Sequence, residues 1–460
     1  MSGPTWFLGL ELSGTGTHPT SWRRADSRAE DLFTAAYWTA LVREAERLGI
    51  DAVFLTDSFA VQEGGTGVTR GRLDAVAIAA RTAPLTRRVG LIPQVPVTHT
   101  EPFHVSKAIA ALDFASAGRA GWEVTVSPGA VEAKAFGRKD VQDAESLWHE
   151  AGEAVEVVTR LWDSWEDDAE IRDVPTGRFI DRDRLHYIDF TGEHFAVKGP
   201  AITPRSPQGQ PIITVHAHDG PSTDLAVHHA DLIRITAPDA STAADHRLAL
   251  RAALVAAGRD PDSVRVLLDL PVHLADSPES ATAEVAELDH WLATATATDQ
   301  PPAVTSTSPS PRTTTATATD QPPAVTSTSP SPRTTAATGT KPAATGPTPP
   351  DSTGTTGAAT APTAAEGVGA PIERSSAVHG DLRLVGTVAD LAALLAELAD
   401  VVDGVVLRPL ALHATLAALT DHHSPTEPVE VPDDTAPPTF RERLGLPRPA
   451  SRYVPTGATL

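Results

Sequence analysis

GRAGWEVTVS, residues 118–127, is the stretch of sequence that decides the fold. Its apolar residues alternate with polar ones after the first four positions, which is the pattern of a short β-strand. A helix is expected before it, over residues 103–116, and the turn pair Pro128-Gly129 follows it. The strand therefore ends in polar groups, and in a barrel of parallel strands that end is where ligands bind. A buried strand with a purely structural role would show the same pattern, so the choice between a structural strand and one that ends at a ligand site depends on the neighbouring segments.

The segments on both sides repeat an alternation of strand and helix. Strands are predicted at 6–12, 51–56, 89–97, 118–127, 211–215, 231–235, 264–273 and 403–408. Helices are predicted at 33–48, 75–82, 103–116, 145–165, 225–230, 240–257, 278–293, 387–402 and 410–419. Such alternation is typical of parallel strands joined by right-handed crossovers. Short alternating segments over residues 179–198 predict an antiparallel excursion.

The fold class predicted is α/β, a TIM-like (β/α)8 barrel with an excursion after strand four and a disordered low-complexity insertion before strand eight. Residues 1–293 form the first part of the barrel, 294–371 the insertion, 372–425 the closing part and 426–460 a C-terminal tail. Residues 294–314 are repeated letter for letter at 315–335. The insertion is rich in Thr, Ala, Pro and Ser, and it cannot bury enough apolar surface to offset its ordering entropy.

Composition excludes several classes of function. The 460 residues carry a net charge of −22, which makes nucleic acid and anionic membranes poor partners. The chain has no cysteine, hence no disulfide and no thiolate metal site, which fits a cytoplasmic protein. No signal peptide and no membrane span are expected. The acidic run at residues 166–170 is most simply a solvated face.

Seven motifs together resemble one family, the bacterial-luciferase-like flavin monooxygenases. They read HPTSWR (18–23), RLDAVAIAARTAPLTRRVGL (72–91), EPFHVSKAIAALDFASAGRAGW (101–122), LWDSWEDDA (161–169), FTGEHFAVKGP (190–200), PRSPQGQP (204–211) and HHADLI (228–233). Within the family, the chain is similar to the branch of nitrilotriacetate monooxygenase, dibenzothiophene-sulfone monooxygenase and pristinamycin synthase. The resemblance covers residues 5–293 and 378–420.

The resemblance implies a TIM-like barrel and a flavin-dependent monooxygenase. Reduced FMN, supplied by a separate flavin reductase, would react with O2 to oxidise a small organic substrate. The flavin carries the chemistry, and the protein positions it and excludes water. No metal is implied. Relatives are commonly dimers, so a homodimer is one expectation.

The resemblance also implies a set of site residues. The flavin contacts would be Asp57, Thr98, Glu123, Ser127, Trp148 and a phosphate-binding turn that includes His216, His218, Asp219 and Ser222. The catalytic positions would be His18 and Glu123. Three of these residues have a plainer interpretation: Asp57 as a helix cap, His18 as a surface histidine and Trp148 as a core residue.

Several of these positions depart from the family pattern. The strand-four motif usually reads WNVVTS and here reads WEVTVS, which places Glu123 where asparagine is usual. Tyrosine is usual at Trp148. The phosphate turn usually reads Ala-Gly-Ser-Ser, and here Asp219 brings a negative charge that disfavours a phosphate. Protonated His216 or His218 would offset that charge near or below neutral pH.

Three functional hypotheses follow. The first is the flavin-dependent monooxygenase, with a deazaflavin as a possible replacement for FMN. The second is a noncatalytic barrel whose flavin site has degraded, in which Glu123 only marks the loss. The third is a metal-dependent hydrolase, because His216 and His218 lie two residues apart at a strand end and would point to the same side.

Overall fold

The computed structural model describes residues 6–62, 64–298, 380–422 and 438–454. Its strands are β1 (Phe7–Leu12), β2 (Ala52–Leu55), β3 (Gly90–Pro96), β4 (Gly121–Thr125), β5 (Glu170–Asp173), β6 (Arg178–Ile180), β7 (Phe190–Thr191), β8 (Ala196–Val197), β9 (Ile212–His216), β10 (Leu232–Ile235), β11 (Arg265–Leu274), β12 (Leu384–Gly386) and β13 (Gly404–Pro409).

The helices follow the strands along the chain. They are α1 (Ala35–Arg47), α2 (Ala75–Thr82), α3 (Pro102–Ala115), α4 (Ala130–Phe136), α5 (Ala144–Asp163), α6 (Gly220–His229), α7 (Ala240–Ala256), α8 (Pro278–Thr298), α9 (Val388–Leu398), α10 (Leu412–His422) and α11 (Phe440–Arg443). Of these, α4 and α11 were not predicted from the sequence.

Eight parallel strands close into a barrel, which confirms the predicted fold. The order around the barrel is β1, β2, β3, β4, β9, β10, β11 and β13, and β13 pairs again with β1. Every one of these eight strands coincides with a predicted one. The short β12 pairs with β11 outside the barrel. Since all eight strands run the same way, their carboxyl ends meet at one mouth.

Local sequence explains why the helices begin and end where they do. The Asp74 side chain accepts a hydrogen bond from Ala77 N at the start of α2, and Thr387 and Asp390 form a capping box at the start of α9. Gly49 follows α1 with a φ of 75°, as a C-terminal glycine should.

The excursion between α5 and β9 is antiparallel, as predicted. It consists of two hairpins, β5 with β6 and β7 with β8. It begins at Glu170, nine residues before the predicted start, because the end of the acidic run is itself a strand. That run is not merely a solvated face, since Asp167 accepts hydrogen bonds from both Arg205 and Arg448.

Residues 438–454 lie within the predicted tail, yet they pack against the barrel. The Phe440 side chain is fully buried in a cluster with Phe54, Ile92 and Leu267, all on barrel strands. Arg441 donates to both carboxylate oxygens of Asp231, at 3.0 and 2.6 Å. An aromatic residue and a bidentate ion pair therefore hold the segment beneath the amino ends of the strands.

The structure describes only the first residues of the predicted insertion, 294–298. Helix α8 continues to Thr298, so residues 294–298 are helical rather than part of a linker. The rest of the predicted insertion lies outside the described residues, as do residues 423–437. Among the described helices, none is long and apolar enough to cross a membrane.

Candidate functional site

Charged side chains fill the half of the barrel interior nearer the mouth. Arg234 on β10 donates to Glu11 on β1 at 2.6 Å, to Glu123 on β4 at 2.8 Å and to both oxygens of Asp269 on β11 at 2.8 Å. Arg408 on β13 donates to Glu11 at 3.1 Å. We call these five residues the lumen network. The guanidinium of Arg234 also lies over the ring of Phe54, 4.8 Å from its centroid, where the apolar half begins.

The lumen network holds three carboxylates against two guanidinium groups. Burial opposes the charge of Glu11, but Arg408 and Arg234 outweigh it and lower its pKa to about 2. Burial raises the pKa of Glu123 despite the attraction of Arg234. The pKa of Arg234 is raised by its three carboxylate partners. Glu123 therefore takes up a proton more readily than Glu11 does.

The position of Glu123 revises its predicted role. Its side chain is 1% exposed, Oε1 accepts from Arg234, and Oε2 accepts from Gln94 Nε2 at 3.0 Å. A carboxylate whose two oxygens are both engaged does not present a free acid or base at the mouth. The structure gives Glu123 a place in the lumen network, below the residues that surround the mouth.

Sequence reasoning missed the other four members of the lumen network. Each is a charged residue flanked by apolar residues within its strand: Glu11 in FLGLEL, Arg234 in LIRI, Asp269 in RVLLDLPVHL and Arg408 in GVVLRP. A charge in such a run is rarely buried unless it is paired, which is the signal that could have found them.

Unpartnered polar atoms gather at the carboxyl ends of three adjacent strands. Within the described residues, no hydrogen-bond partner meets Thr125 Oγ1 on β4, Nε2 of His216 on β9, or either ring nitrogen of His99 after β3. The register pairs Val124 with Val215, so Thr125 and His216 are next to each other. Buried polar groups are normally satisfied, so these four atoms make the mouth a candidate position for a polar ligand.

Two predicted flavin contacts lie beside this group. Thr98 follows β3 and Ser127 follows β4, and Ser127 N donates to Thr98 Oγ1 at 2.9 Å. Both residues are buried, at 4% and 6% exposure. The structure thus brings Thr98 and Ser127 together at the mouth, as a shared site would require.

Asp57 and His18 are both engaged by the protein itself. Asp57 accepts hydrogen bonds from Ser58 N at 2.7 Å and Ala75 N at 2.9 Å, so it helps to begin α2. His18 is buried rather than on the surface, with Nε2 3.2 Å from Asp289 on α8 and Nδ1 near the Thr20 hydroxyl. Burial lowers the pKa of His18, although Asp289 opposes this.

The turn predicted to bind a phosphate engages three of its own backbone donors. Ser222 Oγ accepts from His218 N and from Asp219 N, both at 3.0 Å. Asp219 Oδ1 accepts from Ser222 N at 2.7 Å, which completes a capping box at the start of α6. The next residue after Gly220 is Pro221, which has no N–H. Three of the backbone donors near this helix start, His218 N, Asp219 N and Ser222 N, are therefore already engaged and are not free for a phosphate.

Charge at the turn also opposes a phosphate. Burial lowers the pKa of His216 to about 4, so at neutral pH it is uncharged and does not offset Asp219. The expectation that a protonated His216 would do so is wrong. His218 is exposed, with Nε2 3.6 Å from Asp219 Oδ2. Trp148 on α5 is 7% exposed and lies edge-on to His218, 5.7 Å between ring centroids.

An open groove of about 960 Å³ adjoins this turn, between α5, α6 and the β7–β8 hairpin. Six carboxylates line it: Asp143, Glu145, Glu153, Glu156, Glu193 and Asp224. Four histidines line it as well: His149, His194, His228 and His229. A groove with this many carboxylates repels an anion, so it is no alternative place for the phosphate.

A family model and two similar proteins all relate this chain to monooxygenases. The model of the family described as luciferase-like monooxygenase matches residues 11–399. The N-acetyl-S-(2-succino)cysteine monooxygenase of Bacillus subtilis is 34% identical over 62% of this chain and 65% of its own. The nitrilotriacetate monooxygenase component A of Aminobacter aminovorans is 31% identical over 60% of this chain and 64% of its own. This chain thus spans less than two thirds of their length.

A solved structure supports the fold. The crystal structure of a long-chain alkane monooxygenase superposes with a TM-score of 0.69, covering 97% of this chain and 96% of the other, at 19% identity. At that identity the likeness shows the barrel and its additions, and it does not show a shared substrate.

Proposed function

The chain belongs to the luciferase-like monooxygenase family, and on that premise we propose that it is a flavin-dependent monooxygenase that uses reduced FMN and O2 to oxidise a small organic molecule. A separate flavin reductase would supply the reduced flavin. The absence of cysteine supports a cytoplasmic location. Its named relatives are monooxygenases, but the chain matches only part of their length, so activity and substrate are part of the proposal.

One observation carries the proposal, the group of unpartnered polar atoms at the ends of β3, β4 and β9. Thr125, His99 and His216 offer one hydroxyl and three ring nitrogens without partners among the described residues. The flavin ring has polar atoms along its edges, and these residues, with Thr98 and Ser127, would hold and orient it. Reduced flavin, when bound, supplies the electrons that activate O2.

The residues fit the ring of a flavin but not its phosphate at α6. His218 N, Asp219 N and Ser222 N are all engaged within the turn, and Asp219 adds a negative charge. Binding would therefore depend on the ring, and the phosphate would add little. The same observation favours a second candidate function, a noncatalytic barrel that no longer binds flavin.

Anaerobic titration with reduced FMN, reduced riboflavin and a reduced deazaflavin separates these functions. Saturable binding of the reduced flavins, followed by oxygen-dependent turnover, supports the monooxygenase. A preference for the deazaflavin would replace oxygen chemistry with hydride transfer. If none of the three binds, the noncatalytic barrel is the better description.

A matched pair of variants tests the ring contacts. Thr125→Val removes an unpartnered hydroxyl at the mouth, and we expect it to weaken flavin binding by about tenfold, the loss of one hydrogen bond. Thr39→Val is the control, because the described residues also leave Thr39 Oγ1 without a partner, but on α1, away from the mouth. Equal affinities of the two variants would contradict the assigned ring contacts.

A further inference from the structure

Three potential metal ligands meet at one side of the acidic groove. His149 lies on α5, and Glu193 and His194 lie in the turn between β7 and β8. One ligand atom of each lies within 4.8 Å of the other two. The two imidazole rings are 5.3 Å apart between centroids, and His149 Nδ1 is 3.8 Å from Glu193 Oε2.

From this geometry we propose that His149, Glu193 and His194 bind a divalent transition-metal ion such as Zn²⁺. Two imidazoles and one carboxylate are a donor set typical of zinc, and the groove leaves the fourth position for water or another ligand. Zinc–ligand bonds of about 2.1 Å place tetrahedral donor atoms roughly 3.4 Å apart. The ligand atoms, now within 4.8 Å of one another, would have to approach to about 3.4 Å, which the partial exposure of the three side chains allows. The proposal is independent of the flavin site.

The turn that supplies two of the ligands is fixed to the helix that supplies the third. Glu153 lies one helical turn beyond His149, and its carboxylate accepts from the backbone N–H groups of Glu193 and His194 at 2.6 and 2.8 Å, and of Phe195 at 3.1 Å. These three hydrogen bonds hold the turn, and with it Glu193 and His194, against α5.

Gly192 makes this attachment possible. A Cβ at residue 192 would lie 2.3–2.4 Å from the Glu153 carboxylate, closer than any real contact. Gly192→Ala must therefore push the Glu153 carboxylate away from the turn, which removes its hold on Glu193 and His194 while leaving all three ligands in the chain. This variant separates the presence of the ligands from their positions.

The metal class follows from the donors. Mg²⁺ and Ca²⁺ prefer six or more oxygen ligands, which this set lacks. Zn²⁺, Ni²⁺ and Cu²⁺ accept imidazole, with Cu²⁺ the tightest binder by the usual order. Protons compete with metal ions for imidazole nitrogens, so the measurements belong at about pH 7.5.

The test uses the full-length protein, stripped of metal with a chelator and titrated at pH 7.5 with Zn²⁺ by calorimetry and with Co²⁺ by visible absorption. We expect one saturable site with a Co²⁺ spectrum of imidazole ligation. His149→Ala and His194→Ala should each weaken binding at least tenfold, and Gly192→Ala should weaken it without changing the number of histidines. His246→Ala, at an exposed histidine of α7, is the control and should change nothing.

Two results would overturn the proposal. One is the absence of saturable Zn²⁺ and Co²⁺ binding to the wild-type protein. The other is binding that survives His149→Ala and His194→Ala but is lost in His218→Ala, which would move the metal to the turn after β9. Circular dichroism of each variant checks that the fold is retained.

Discussion

The hydrogen bonds within the turn at the start of α6 lead to a quantitative prediction about the choice between FMN and riboflavin. In Asp219→Ser combined with Ser222→Gly, the negative charge and the Ser222 hydroxyl are both lost, and the N–H groups of residues 218 and 219 become available. The wild-type protein is expected to bind FMN and riboflavin with similar affinity. The double variant should prefer FMN, because only FMN carries a phosphate to meet these donors.

The magnitude follows from the number of donors released. A hydrogen bond to a charged group contributes about 1.5–3 kcal/mol. Two such bonds at the lower limit give about 3 kcal/mol, which is roughly a 100-fold gain in FMN affinity. The gain from removing the charge of Asp219 is left out, because the side chain is partly exposed to solvent. Riboflavin affinity should not change.

The assay measures dissociation constants of both flavins anaerobically, in wild type and double variant, and compares their ratio. Asp239→Ser is the matched control, since Asp239 caps α7 in the same way, with Thr242 N donating at 2.7 Å, at the same end of the barrel. If the wild-type protein already prefers FMN 100-fold, or the double variant keeps the wild-type ratio, the reasoning fails. A similar gain in Asp239→Ser would show that only net charge matters.

Two further predictions concern stability. Arg234→Gln leaves the three carboxylates of the lumen network with one guanidinium, so we expect the free energy of unfolding to fall by about 3–5 kcal/mol. Glu123→Gln removes the carboxylate that is in excess over the guanidinium groups, and it should lower the free energy of unfolding by less than about 1.5 kcal/mol. Urea unfolding of both variants measures the two losses, and equal losses would contradict the excess of carboxylates in the network. His216 has a folded-state pKa of about 4 and an ordinary value near 6.5, so the unfolded chain binds more protons between these values. The free energy of unfolding should therefore fall by about 2–3 kcal/mol between pH 7 and pH 4.5 through this group, and His216→Asn should lose correspondingly less, which unfolding curves at the two pH values would show.

Much of the barrel could be predicted because its signals are local. Strands such as DAVFLT at 51–56 and the amphipathic helix ending at Gly49 carry their pattern within about fifteen residues. The antiparallel excursion was predicted for the same reason, although the predicted start at residue 179 came later in the chain than the observed start at Glu170. Helix α11 was missed because four residues in a proline-rich segment show no periodicity, and contacts with the barrel, the burial of Phe440 and the Arg441–Asp231 ion pair, hold them.

The candidate site, like the fold, was only partly predictable from the sequence. That polar residues such as Thr98 and Ser127 follow strands is visible in the sequence, and so is the departure of Asp219 from the family pattern. Which of these side chains are free is not visible. Asp57 accepts a hydrogen bond from Ala75 N at the start of α2. Glu123 accepts one from the guanidinium of Arg234, which is 111 residues away in the chain.

The sequence by itself therefore determined the class of fold, the order of the strands and the family, because periodicity, caps and motifs are properties of neighbouring residues. Only the tertiary structure decided the electrostatics of the site. Arg234 meets Glu11, Glu123 and Asp269 only when four strands close into one barrel. The pKa of a buried group depends on what faces it across the lumen, and no stretch of sequence contains that information.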